Sequence, residues 1–143
     1  MATRGIAAHL IATPQILVAP AVNVTPADGK GHFMGDKADA AFEIQLDGTA
    51  SQGTINVTLQ ESDTDVNASY TAIADAQLEF QKGSSLSSVS GVVALAFGDA
   101  GIHFIGYKGD KSFIRAISSG VAGAPDFGLA ASVVSMRQRH ING

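Results

Sequence analysis

The chain has 143 residues, of which 45% are apolar and 15% charged, with a net charge of −4, no cysteine and no tryptophan. That length suits one domain with a sizeable core, since a chain of this size buries roughly two-thirds of its unfolded surface. Zero cysteine excludes disulfides, thiolate metal sites and thiol nucleophiles, and nine Lys and Arg scattered along an acidic chain offer no basic stripe for nucleic acid.

In chain order, residues 1–38 differ from the remainder of the chain. Pro14, Pro20 and Pro26 interrupt them, Asp28-Gly29-Lys30-Gly31 reads as a turn, and no two-residue period is visible. Proline supplies no ladder donor and biases its predecessor toward extended backbone. Two readings stay open: an extended N-terminal arm lying on a neighbouring molecule, with Pro14 and Pro20 as contacts, or a first edge strand followed by a long loop. The opening residues carry one cation, Arg4, ahead of small apolar side chains. Pro14 and Gln15 break that run well below the roughly 20 residues of a membrane span, so neither a leader nor a span is expected.

A β-sandwich domain is predicted over 39–143. Phe42, Ile44 and Leu46 alternate with Glu43, Gln45 and Asp47, and Ile55, Val57 and Leu59 alternate with Asn56, Thr58 and Gln60. This is the period of half-buried strands. Further strands are predicted over Tyr70 to Ile73, Leu78 to Gln81, Val92 to Phe97, Ile102 to Tyr107, Phe113 to Ser118 and Leu129 to Met136, each bounded by Gly, Ser, Asp or Pro. The Ser-rich stretch Gly83 to Gly91 reads as a loop, and Thr71 to Leu78 is Ala-rich but lacks an apolar helical stripe. The fold class is therefore all-β: a jelly-roll-like two-sheet sandwich of about eight strands behind the N-terminal arm.

The runs Ile102 to Tyr107 and Phe113 to Ile117 flank the short turn Lys108-Gly109-Asp110-Lys111 and read as a hairpin. Pairing across that turn would bring Tyr107 and Arg115 to one end of a sheet, where Arg stacks on a ring or meets a carboxylate. Two roles are open for the pair, support of the fold or direct contact with a partner, the latter because Tyr and Arg are enriched at binding hot spots.

The segment Gly106 to Arg115, GYKGDKSFIR, resembles the GYxGxxRYVR hairpin of small head proteins of tailed bacteriophages, the capsid decoration or cement family. Leu59 to Thr64, LQESDT, with an aromatic a few residues later, resembles a turn of the same family. The chain departs from the pattern in carrying Lys111-Ser112-Phe113 where an Arg-Tyr pair is common. The resemblance covers about residues 40–137 and its specific motifs are confined to those two segments. It implies a virion structural protein, made in the bacterial cytoplasm and bound to the capsid exterior. It further implies the major capsid protein lattice as partner and a homo-oligomer, a trimer by family likeness. A tail or head-tail joining protein shares these characteristics. A carbohydrate-binding module is the reading from another class, opposed by the lack of Trp and the presence of only two Tyr.

No catalytic, cofactor or metal residues are assigned. Asp63-Thr-Asp65-Val-Asn67 begins like a calcium loop, but Ala68 and Ala74 stand where Gly and a bidentate Glu are required. The stretch reads instead as a solvated turn whose Asp and Asn side chains cap their own backbone. His9, His32, His103 and His140 are too scattered for a ligand set, and alternation suggests that His103 faces solvent or a sheet edge. No Gly-x-Ser-x-Gly elbow or phosphate loop occurs, so an enzyme is not expected. The basic end around Arg137, Arg139 and His140 reads as a solvated tail.

Overall fold

The computed structural model describes residues 12–21 (backbone only), 31–35, 37–46, 53–80, 86, 88–96, 101–123 and 128–137. Among these residues eleven strands form: β1 (Ala12–Ala21), β2 (His32–Phe33), β3 (Lys37–Leu46), β4 (Thr54–Ser62), β5 (Thr71–Ala72), β6 (Leu78–Phe80), β7 (Ser88–Val89), β8 (Val92–Ala96), β9 (Gly101–Tyr107), β10 (Phe113–Ala122) and β11 (Leu129–Arg137). Helical structure among them is limited to two 3-10 turns, Asn67–Ser69 and Asp75–Gln77.

The strands make two antiparallel sheets. One has the order β1-β11-β3-β9-β6, the other β2-β10-β4-β8-β7 with β5 also paired to β4. The two-residue period explains how they stack. Phe42 and Ile44 of β3 and Ile105 of β9 face Ile55, Val57 and Leu59 of β4 and Ile114 of β10, and all seven are 0% exposed. Val133 of β11 and Ile73 join the same core. Burying each such side chain contributes roughly 1.5–3 kcal/mol, so the two alternating runs seen in the sequence are the main glue between the sheets.

Over Ala12–Ala21 the N-terminal segment forms the edge strand β1, paired with β11, rather than an arm. Pro14 and Pro20 fit there because an edge strand has one side on which no ladder donor is needed; their side chains are outside the described ones. The expected boundary at 38/39 also shifts. His32 and Phe33 pair with Ile114 and Phe113, Met34 is buried, and β3 already begins at Lys37. Described residues of the Ser-rich stretch are not loop alone: Leu86 lies in the core, and β7 and β8 form a hairpin in the second sheet. Its two-residue turn, Ser90 and Gly91 at φ 51° and 75°, has the left-handed backbone that matches the twist of paired strands.

The segment Gly106 to Arg115 is not a hairpin. β9 pairs with β3 and β6 in the first sheet, whereas β10 pairs with β4 and β2 in the second. Residues 108–112 therefore carry the chain from one sheet to the other. A hairpin and a sheet-to-sheet corner need the same apolar–turn–apolar pattern, so local sequence does not separate them.

Candidate functional site

The corner between β9 and β10 meets the far end of β4, so the segments Leu59 to Thr64 and Gly106 to Arg115 come together there. Alternation along β4 points Glu61 into the sandwich and Gln60 and Ser62 outward. Three contacts then join one segment to the other. The Tyr107 hydroxyl donates to Glu61 Oε2 at 2.6 Å, Arg115 Nε donates to Gln60 Oε1 at 2.8 Å, and Lys111 Nζ lies 2.8 Å from Asp63 Oδ2.

Tyr107 closes the corner. It ends β9 facing inward, so its ring fills the mouth of the sandwich while its hydroxyl reaches Glu61 on the opposite sheet and accepts the Lys111 N–H at 3.1 Å. The ring also explains Gly109: a Cβ there would sit 2.3 Å from the Tyr107 hydroxyl and 2.6 Å from Cε2, so no side chain fits beneath it. Burial, then the bond to Glu61, pushes the Tyr107 phenol well above its ordinary range. The Lys111–Asp63 pair lies outside this buried bond and raises the Lys111 ammonium, but as an exposed pair it adds little to stability.

Arg115 projects from the outer face of β10 yet is only 4% exposed. What covers it is Tyr70, whose ring lies 3.9 Å from the guanidinium carbon, in a stacked arrangement that strengthens as water is excluded. Burial lowers the Arg115 guanidinium while Tyr70 and Asp65 oppose the shift. Tyr70 donates its hydroxyl to Asp65 Oδ1 at 2.7 Å, and the same oxygen accepts the Gly31 N–H at 3.0 Å. Burial foremost, then Asp65, pushes the Tyr70 phenol up as well. A chain of contacts thus runs from the start of β2 through Asp65, Tyr70 and Arg115 to β4.

Hydroxyls of Ser62 and Ser69 hold the turn from Asp63 to Ser69. Ser62 Oγ accepts the Thr64 N–H at 3.1 Å and lies 2.7 Å from Ser69 Oγ. Ser69 in turn sits 2.8 and 2.7 Å from the carbonyl oxygens of Thr64 and Val66. Asp65 is turned away to bind Gly31 and Tyr70 because those donors are partly buried and require an acceptor. No group of three or more His, Asp and Glu that could hold a metal occurs among the described residues.

His103 shares the inward face of β9 with Ile105 and Tyr107 and is half-buried, not solvent-facing, because alternation counted from the buried neighbours puts odd positions inside. His32 Nε2 lies 2.9 Å from Ser135 Oγ, joining β2 to β11 across the sandwich. A hydroxyl beside an imidazole is the start of a nucleophile–base arrangement, but Ser135 is 0% and His32 5% exposed, leaving no approach for a substrate. His9 and His140 lie outside the described residues.

Of the contact residues expected from sequence, Tyr107 and Arg115 come to one end of the molecule, but from different sheets. Both are buried, and their side chains are spent on Glu61, Gln60 and Tyr70. This placement is that of fold support, the first of the two roles left open for the pair. Glu61, Asp65, Tyr70 and Gly109 were missed. Only Gly109 had a local signal, its place two residues after an aromatic at a turn; Glu61 is 46 residues from Tyr107. Comparison with family models, curated proteins and solved structures finds no match for this chain.

Proposed function

We propose that this chain is a structural protein of a tailed-phage virion, a decoration or cement protein that binds the outside of the head and stabilises the shell. The observation that carries the reading is that its two family-like segments form one physical unit, through Glu61–Tyr107, Gln60–Arg115 and Asp63–Lys111. Two short motifs, each weak alone, weigh more when they are the two halves of one joint. Glu61, Tyr107 and Arg115 of this joint are buried, so contact with the lattice falls to the sheet edges and outer faces of the sandwich. A ligand that binds only the assembled shell stabilises it by mass action, and many copies bridging neighbours multiply a weak single contact.

A tail or head-tail joining role uses the same scaffold. The carbohydrate-binding alternative loses ground because both tyrosines are buried and so cannot serve as sugar platforms, while Phe33 and Phe104, the exposed aromatics among the described residues, have no polar handle. The test is co-sedimentation of the purified protein with mature phage heads and with tails, together with the heat resistance of the heads. Saturable binding to heads with raised heat resistance is expected. Binding to tails alone would favour the joining role, and binding to a polysaccharide with none to either particle would overturn the reading.

A further inference from the structure

The outer faces of the two sheets differ. On the second sheet the chain covers part of its own surface, since the Tyr70 ring lies over Arg115. On the first sheet the alternation that turns Ile105 and Tyr107 inward turns Ile102, Phe104 and Gly106 of β9 outward, and Ile102 and Phe104 are 56% and 42% exposed. Their neighbours on this face follow from the register. Phe104 lies opposite Glu43, which lies opposite Ser132; Ile102 is in the row of Gln45 and Ala130, and Gly106 in that of Glu79, Ala41 and Val134. Gly106, Ala41, Ala130 and Ser132 are small, so the two large apolar side chains stand above a flat floor. A Cβ on Gly106 would meet the Glu79 Cβ at 3.4 Å, which places Glu79 on the same face.

Of the described side chains on this face, those that carry charge are Glu43 and Glu79, one on each side of β9. The cations Lys37, Lys108 and Arg137 stand at or just beyond strand ends, all at the Tyr107 end of the sheet. The surroundings of Phe104 are therefore apolar and acidic.

Charge decides among the candidate occupants. Nucleic acid and anionic lipid present phosphates, which the two carboxylates repel. A second copy docked face to face about Phe104 would bring the carboxylates toward their own images, and like charges across an interface oppose association. A protein surface with an apolar patch rimmed by Lys or Arg matches on both counts: Phe104 and Ile102 meet the patch, and Glu43 and Glu79 meet the cations at its rim.

We propose that the outer face of the first sheet, centred on Phe104, is the surface by which the protein docks, and that its partner is an apolar patch rimmed by Lys or Arg on the outside of the shell. The inference rests on the reading of the chain as a shell-binding protein and adds to it the face used and the chemistry of the surface met.

The test is co-sedimentation of the full-length protein with mature phage heads at several salt concentrations, with a melting temperature for each variant. Phe104→Ser removes the apolar anchor. Because the ring is solvated, the melting temperature should hold while binding weakens about tenfold or more, the loss expected on truncating an anchor residue. Ile102→Ser, two residues away on the same face, repeats the test should Phe104→Ser lower the melting temperature. Glu79→Lys and Asp110→Lys make the same change of net charge at exposed positions, the first on the face and the second at the corner between the sheets. Glu79→Lys should weaken binding at low salt, and the difference should narrow as salt rises, because rim charges are screened. Asp110→Lys should bind as the unaltered protein does. Heads bound equally well by the unaltered protein and by Phe104→Ser, or two Lys variants that behave alike, would overturn the inference and leave the shell reading intact. An unaltered protein that binds no heads overturns both. Self-association that is lost in Phe104→Ser, or binding of the unaltered protein to phosphatidylcholine vesicles, would give the face to a second copy or to a lipid surface and overturn the inference as well.

Discussion

Tyr107 and Glu61 face each other across the sandwich, a phenol at the end of one sheet donating at 2.6 Å to a carboxylate in the other, with Glu61 only 7% exposed. The bond fastens the sheets at the point where the chain passes between them.

Tyr107→Phe keeps the ring and deletes the hydroxyl, leaving a buried carboxylate oxygen and the Lys111 N–H without their partner. A loss of about 1–3 kcal/mol in unfolding free energy is expected, the ordinary cost of orphaning a buried polar group. Denaturant unfolding measures it, and a change below about 0.5 kcal/mol, the range of a neutral surface substitution, would show that the bond does not hold the sheets.

Gly109→Ala should destabilise through a clash with the Tyr107 ring rather than through backbone strain. The two sites are then coupled. Combined with Tyr107→Ala, which removes the obstructing ring, Gly109→Ala should cost less than it does alone, with a coupling of about 0.5–3 kcal/mol. Strict additivity in a double-mutant cycle would refute the steric account.

Arg115 makes its contacts as a flat group, stacked on Tyr70 and bonded through Nε to Gln60. Arg115→Lys keeps the charge but offers no plane to stack, so it should fail to rescue the loss seen in Arg115→Ala. At temperatures where both variants remain folded, binding to heads should be unchanged, because the residue is buried. A variant of normal stability that binds heads poorly would return Arg115 to the role of partner contact.

Both phenols are raised chiefly by burial, with Asp65 acting on Tyr70 and Glu61 on Tyr107. The folded state therefore favours the neutral phenols more than the unfolded chain does, where they titrate near about 10. Their contribution to stability is fully present below that value and is lost as the pH climbs from there through the raised folded values. Because these are the chain's two tyrosines and it has no tryptophan, near-ultraviolet tyrosinate absorbance reports on this end of the molecule alone. It should develop together with alkaline unfolding followed by circular dichroism; tyrosinate forming in a still-folded protein at the ordinary phenol pH would contradict the buried bonds.

The sequence by itself determined which residues form strands and which of their faces turn inward. Phe42, Ile44, Leu46, Ile55, Val57 and Leu59 are all buried as their alternation requires, because a two-residue period and the hydrophobic effect act within a few residues of chain. All eight strands predicted from sequence are present, and what was left open or missed, β1, β2 and β7, consists of an edge strand with two prolines and two strands too short to display a period. Only the tertiary structure decided the partners. Whether β10 turns back on β9 or crosses to β4 depends on pairings between residues more than fifty positions apart, and the same pattern of apolar and polar residues satisfies both. The joints created by the crossing were equally hidden: Glu61 with Tyr107, Asp65 with Gly31 and Tyr70, and His32 with Ser135, 103 residues away. A buried polar side chain needs a partner, but which partner it finds is set by where the sheets place it.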